Sequence, residues 1–189
     1  MILVCLIGKS GSGKSEIERK LEKLGYNRII SYTTRQPRPG EENGVHYHFV
    51  NDSQFKQLID KDILMEHASY SGNQYGSPRP VGSLNNVIVV EPDGYNQIRK
   101  IYGRQVVGVY VDVNTEETKK RVLKRLDKPT DKDIKEIEKR EKEDNVLFKS
   151  IENTVDLIVD GNRPVELSVA EILKFISNLK KGRIRNENM

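Results

Sequence analysis

Eight consecutive residues near the start of the chain, Gly8-Lys9-Ser10-Gly11-Ser12-Gly13-Lys14-Ser15, have the types and spacing that hold a phosphate. They fit G-x-x-x-x-G-K-[ST], the phosphate-binding loop of nucleotide-handling α/β proteins. Gly8, Gly11 and Gly13 let the backbone turn tightly and aim successive N–H groups at one anion. Ser15, Glu16 and Ile17 then open a helix whose positive end favours the same charge. Lys14 supplies a mobile ammonium for the outer phosphates, and the Ser15 hydroxyl can ligate Mg²⁺. An apolar run at 2–7 precedes the loop, and Ile17, Leu21 and Leu24 follow it at helical spacing. That context separates the match from a chance glycine-rich turn.

Two further segments could bind a second anion and a base. Arg35 and Arg38 sit on a stretch held extended by Pro37 and Pro39, and two planar guanidinium forks on a stiff loop suit a phosphate. Downstream runs Glu66-His67-Ala68-Ser69-Tyr70-Ser71-Gly72-Asn73-Gln74-Tyr75-Gly76-Ser77. A carboxylate at Glu66 can accept two N–H donors from a base edge, and a hydroxyl at Ser77 can donate to a carbonyl oxygen. That set complements guanine, with its N1–H, N2–H and O6. Tyr47 and Tyr75 could donate to phosphate or pack against the base.

These groups need a scaffold, and the apolar pattern supplies one. Short runs rich in β-branched residues read as strands at 2–7, 28–31, 86–90, 105–113 and 155–159. Helical patterns fall at 15–24, 94–101, 115–126, 133–149 and 164–180. Such alternation predicts a parallel sheet covered on both faces by helices. Residues 33–83 break the pattern. There Glu42-Asn43-Gly44-Val45 reads as a hairpin turn into alternating residues 46–50. Asn51-Asp52-Ser53 can cap a short helix through Ile59, and 63–70 reads as extended. A second interruption, Asp127-Lys128-Pro129-Thr130-Asp131, is polar and holds a helix-breaking proline between two charged helical patterns; it reads as a hinged flap. The tail at 182–189 is expected to fray. The chain is therefore expected to be a single α/β domain with a core at 1–32, 84–124 and 146–182, a small mixed lobe at 33–83 and a lid at 125–145.

At 189 residues, 35% hydrophobic and 32% charged, the chain suits one substantial core with a strongly charged surface. No apolar run approaches membrane-spanning length, and 2–7 is too short for a signal sequence. Cys5 is the only cysteine, so a disulfide framework is excluded and a reducing cytoplasm is expected. A net charge of +4 could suggest nucleic acid, yet 32 basic and 28 acidic residues are interspersed as on solvated helix faces. The basic excess around Arg35, Arg38, Arg121 and Arg125 suits a polyphosphate equally well, and neither nucleic acid nor membrane is expected as a partner. His46 and His48 would share a strand face, without a third ligand at metal spacing.

The segments together closely resemble the guanylate kinase family, from the first strand to the last helix. The resemblance is densest in Ser-x-Thr-Thr-Arg-x-Pro-Arg-x-Gly-Glu-x-Asn-Gly-x-x-Tyr, here residues 31–47, and Ser-Gly-Asn-x-Tyr-Gly-Ser, here 71–77. Both motifs are far more specific than the phosphate loop. The resemblance implies a P-loop NTPase-type sheet with an inserted monophosphate-binding lobe and a helical lid. It implies ATP and Mg²⁺ on one side, GMP or dGMP on the other, in a monomer or homodimer. It implies that Gly8, Lys9, Ser10, Gly11, Ser12, Gly13, Lys14 and Ser15 hold ATP. Ser31, Arg35, Arg38, Tyr47 and Tyr75 would hold the acceptor phosphate, with Glu41 and Gly76 in the same motifs, and Glu66 and Ser77 would read guanine. Arg125 and Arg140 stand where lid arginines are expected.

The chain departs from the family at two places. The usual acid, apolar residue and acid at the end of the third parallel strand are here Val89, Val90 and Glu91. Glu91 can still serve near Mg²⁺ or order the active-site arginines, and is counted in the acceptor site. A further lid arginine is missing, and Lys128 could replace it only as a point charge. Val89 motivates an alternative, a related kinase with another monophosphate or a phosphosugar as acceptor. A catalytically inert binding module for phosphorylated peptides is opposed by the intact loop with Lys14 and Ser15.

Overall fold

The computed structural model describes residues 1–82, 84–126 and 129–187, with side chains through residue 181. In chain order the elements are β1 (Leu3–Ile7), α1 (Lys14–Lys23), β2 (Asn27–Arg28), β3 (Tyr32–Thr33), β4 (His48–Phe49), α2 (Asp52–Asp60), β5 (Leu64–Tyr70), β6 (Asn73–Pro78), β7 (Asn86–Val89), α3 (Pro92–Tyr102), β8 (Val106–Asp112), α4 (Thr115–Leu123), α5 (Asp131–Leu147), β9 (Leu157–Asp160) and α6 (Val165–Glu187). Every residue of β1 is buried, and its alternate side chains go to opposite faces. Ile2, Val4 and Leu6 meet Ile17 and Leu21 of α1 and Val169, Ile172 and Ile176 of α6. Leu3, Cys5 and Ile7 meet Tyr95 and Ile98 of α3 with Phe148 and Ile151. Burying each such side chain contributes roughly 1.5–3 kcal/mol, so β1 is pinned from both sides where its last residue hands over to the phosphate loop.

The main sheet has the order β2-β7-β1-β8-β9 and is parallel at every pairing. All its strands therefore end on the side where β1 releases the Gly8–Ser15 loop, the usual ligand end of an open α/β sheet. A second sheet, β4-β3-β6-β5, belongs to the lobe. The expected strand at 28–31 divides between the two sheets. Arg28 pairs with Val87 in the main sheet and Tyr32 pairs with His48 and Gly76 in the second. Ser31, at the crossing, is drawn across by a 2.8 Å hydrogen bond to Ser77.

The expected hairpin at Glu42–Val45 is corrected, because β4 runs parallel to β3. Residues 42–46 instead form a tight turn in which the Val45 and His46 N–H groups donate to the Glu42 carbonyl. Gly44 takes φ 76 there. His46 lies in this turn, its Nδ1 accepting from the Glu42 N–H at 3.1 Å, while His48 in β4 stacks on Tyr32. The two do not share a strand face. The true hairpin joins β5 and β6 through Ser71-Gly72, both with positive φ, 49 and 75, as a two-residue turn of that hand requires. α5 begins at Asp131, two residues earlier than expected, because Thr130 and Asp133 form a reciprocal capping box. α6 continues through Gly182 to Glu187, where fraying was expected. Among the described residues no helix is long and apolar enough to cross a membrane.

Candidate active site

The loop after β1 is crowded where its glycines stand. A Cβ on Gly8 would lie 2.8 Å from the Val111 carbonyl, and one on Gly11 would lie 2.8 Å from the Thr118 carbonyl of α4. Gly11 and Gly13 also have φ 84 and 98, which a side chain rarely tolerates. Gly13 is the residue before α1, so the loop amides converge on the helix start. Lys14 is half-buried, and its Nζ donates to the carbonyl oxygens of Gly8 and, at 2.9 Å, Lys9. Burial pushes Lys14 below the usual lysine range, while Glu91 and Asp144 pull the other way. The Ser15 residue is exposed at the mouth.

The inserted segment 33–83 brings a second set of charged and aromatic side chains together. Arg35 is 9% exposed, and its guanidinium meets both oxygens of Glu41, at 3.0 and 2.9 Å. It lies 5.5 Å from the Tyr47 ring centroid and 5.7 Å from that of Phe49, a geometry that adds cation–π attraction. Glu41 also accepts the Arg38 N–H at 2.8 Å. Glu41 therefore orients the Arg35 guanidinium and fixes the backbone at Arg38. Desolvation, and after it the charges of Arg35 and Arg140, hold Arg38 below the ordinary arginine range. Tyr47 and Tyr75 meet edge to face at 6.0 Å.

Beside this cluster lies a buried polar chain. Ser77 Oγ donates to Glu66 Oε1 at 2.5 Å, so in the 2.8 Å bond between the serines Ser31 Oγ donates to Ser77 Oγ. Glu66 is 4% exposed. Burial, resisted by the Ser77 hydrogen bond and reinforced by Glu91, pushes it up to about 7. Gly76 is buried under Leu64 and Phe55, which fill the place of its missing side chain. Glu91, immediately before α3, is pushed up to about 7 by burial, with Lys14 opposing and Asp144 adding. Its Oε2 is buried without a hydrogen-bond partner. Val89 packs against the core cluster under α1 and α6, so Glu91 is the one acid at the end of β7.

α5, in the segment expected to act as a lid, adds further charges. Arg140 in α5 pairs with Glu136 one turn back, its Nε buried and unpartnered, and its charge reaches Arg38 and Tyr70. Arg125, exposed after the end of α4, lies near enough to oppose the charge on Lys14. Lys128 lies outside the described residues.

Comparison with known proteins places the chain in a family. A sequence model described as guanylate kinase matches residues 1–179. The chain belongs to the guanylate kinase family. A guanylate kinase of Campylobacter jejuni (strain RM1221) is 33% identical over 200 aligned positions, covering 99% of this chain and 93% of that one. One from Desulfitobacterium hafniense (strain Y51) is 36% identical over 134 positions, 66% of each chain. The crystal structure of the guanylate kinase from Anaplasma phagocytophilum superposes with TM-score 0.69 at 21% identity, over 96% of this chain and 85% of that one. The fold is thus that of a guanylate kinase, a P-loop-type parallel sheet flanked by helices.

The site also contains residues that the sequence did not single out. Gly94 in α3 is one, since a Cβ there would collide with the Glu66 carboxyl. Arg121 in α4, expected only as part of a basic excess suited to polyphosphate, is fastened to Glu117 at 2.8 Å with its guanidinium near Gly13. Asp144 in α5, only 3% exposed, touches both the phosphate loop and β5. The charged run 138–144 gave no sign that one of its acids turns inward.

Proposed function

We propose that the two cradles divide the substrates of an ATP-dependent phosphorylation of GMP, with dGMP as an equivalent acceptor, in the cytoplasm. The observation that carries this reading is the pairing itself: an amide loop closed by Lys14, and beside it the Arg35–Glu41–Arg38 fork next to the Ser31–Ser77–Glu66 chain. Phosphoryl transfer asks a protein for alignment and for neutralisation of developing charge. Lys14 and the loop N–H groups from Gly8 to Ser15 hold the donor phosphates. Arg35 and Arg38, with Tyr47 and Tyr75, hold the acceptor phosphate, and Glu41 keeps the Arg35 fork aimed. Glu66 accepts from guanine N–H groups, and the Ser77 hydroxyl, which donates to Glu66 in the free chain, turns its proton to O6 when the base is bound. Arg125 and Arg140 meet the transferring group and exclude water when the lid shuts. Removing one such fork costs on the order of 3 kcal/mol in the transition state, about a hundredfold in rate.

Mg²⁺ fits the residues present. The Ser15 hydroxyl stands at the loop mouth, and the unpartnered Glu91 Oε2 is an acid near Lys14 that calls for a cation or its water. Ser15 would hold the ion directly and Glu91 through water, and the ion would neutralise the donor phosphates. A panel of nucleoside monophosphates and phosphosugars in a coupled ADP-release assay tests the assignment. GMP and dGMP are expected to rank first, and a different acceptor ranking above them would overturn it.

A further inference from the structure

We infer that Asp144 is a positioning residue that couples the acceptor lobe to the donor loop, an inference that rests on the two-substrate reading above. Its two carboxylate oxygens serve different parts of the molecule. Oδ1 accepts from the Tyr70 hydroxyl at 2.7 Å, and Oδ2 accepts from the Ser10 N–H at 3.2 Å. Tyr70 ends β5 of the lobe and Ser10 lies in the phosphate loop. The next residue of α5, Asn145, fastens the same loop by accepting from Lys9 Nζ at 2.8 Å.

From Asp144 a continuous path leads to the acceptor fork. The Tyr70 ring lies 6.3 Å from Tyr75, Tyr75 lies 6.0 Å from Tyr47, and Arg35 lies 5.5 Å from Tyr47. Toward the donor, the path is a single hydrogen bond to the loop backbone. Arg140 stands one helical turn before Asp144 on the same helix face, so the lid arginine is carried by the helix that makes these contacts.

Burial makes this a coupling rather than a pair of independent contacts. A carboxylate 3% exposed is stable only while its oxygens are satisfied. Moving the lobe away takes the Tyr70 donor from Oδ1, and reshaping the loop takes the Ser10 donor from Oδ2. Each movement therefore changes the cost of the other, and a ligand that fixes one side favours the fixed arrangement on the other.

The test is the ratio of GMP affinities measured by calorimetry with and without a non-hydrolysable Mg-ATP analogue. The wild-type ratio is expected to be about fivefold or more, the lower end of ordinary site coupling. In Tyr70→Phe and in Asp144→Asn it is expected to fall below twofold, with each nucleotide alone binding within about threefold of wild type. The double variant should lose no more than either single one. Should Asp144→Asn fail to fold, Tyr70→Phe, which removes one hydroxyl, carries the test. A wild-type ratio of one, or variants that keep the wild-type ratio, would overturn the inference. A wild type that does not bind GMP would instead overturn the acceptor assignment. The same ratio would then be measured with the monophosphate that ranks first in the ADP-release panel.

Discussion

Gly94→Ala adds one methyl group in α3 and touches no substrate, yet it is expected to damage base recognition. The new Cβ would stand 3.0 Å from the Glu66 carboxyl carbon and closer still to Oε2. Ordinary carbon contacts are about 3.5–4.0 Å, so the carboxyl must retreat by about 0.5–1 Å. It cannot retreat freely, because Ser77 holds Oε1 at 2.5 Å and the side chain is 4% exposed. The consequence is a carboxylate withdrawn from the guanine N–H groups. Losing a hydrogen bond to a charged group costs about 1.5–3 kcal/mol, which is about 10- to 150-fold in kcat/KM for GMP. Alanine suits a helix better than glycine by up to about 1 kcal/mol, so the melting temperature should change little. Steady-state kinetics by coupled ADP release, beside a thermal melt, would measure both. A variant with wild-type KM for GMP would refute the reasoning, as would an equal loss for acceptors lacking guanine.

Lys14→Ala is expected to lower turnover at least a hundredfold while GMP still binds by calorimetry, because the acceptor cradle does not include the lysine; unchanged turnover would remove Lys14 from the donor site. Arg35→Lys should raise the KM for GMP about tenfold or more, since an ammonium cannot meet Glu41 and a phosphate as a planar fork does. Glu66 is held up to about 7 by burial, so it is largely protonated at pH 6 and ionised at pH 8. The wild-type KM for GMP should therefore fall about tenfold between those pH values relative to Glu66→Gln, and parallel pH profiles would contradict the role. The same shift acts on folding. Glu18, Glu66 and Glu91 all titrate near 7 in the fold, chiefly because they are buried, against an ordinary 4.5. Between those values the folded chain binds more protons than the unfolded one, so stability should decline as pH rises from about 5 to 7. Melting temperatures in matched buffers would show it, and a rise over that range would contradict it.

The inner strands of the main sheet, β7, β1 and β8, were legible in the sequence because they are buried almost throughout and read as continuous apolar runs, as at 2–7 and 86–90. The phosphate loop was legible because its glycines answer to crowding and positive φ, constraints that leave their mark on residue type. The lobe was harder. β3 and β4 are each two residues long, too short for a period, and what draws the chain from one sheet to the other is a serine–serine hydrogen bond. β5 showed as extended, but its partner β6 has the sequence Asn-Gln-Tyr-Gly-Ser-Pro, which lacks an apolar alternation. The acids divided in the same way. Glu66 and Glu91 stood in motifs or at a strand end, whereas Asp144 stood among charges that look solvated, and only packing shows it buried.

The central claim is that the amide loop and the guanidinium fork present two phosphates to each other across one cleft. A crystal structure of the chain with a non-hydrolysable Mg-ATP analogue and GMP tests it most directly. An oxygen of the GMP phosphate should lie about 3–3.5 Å from the terminal phosphorus of the analogue, in line with its leaving oxygen. GMP seated on Arg35 and Arg38 but well outside that contact with the lid closed, or seated elsewhere, would contradict the account.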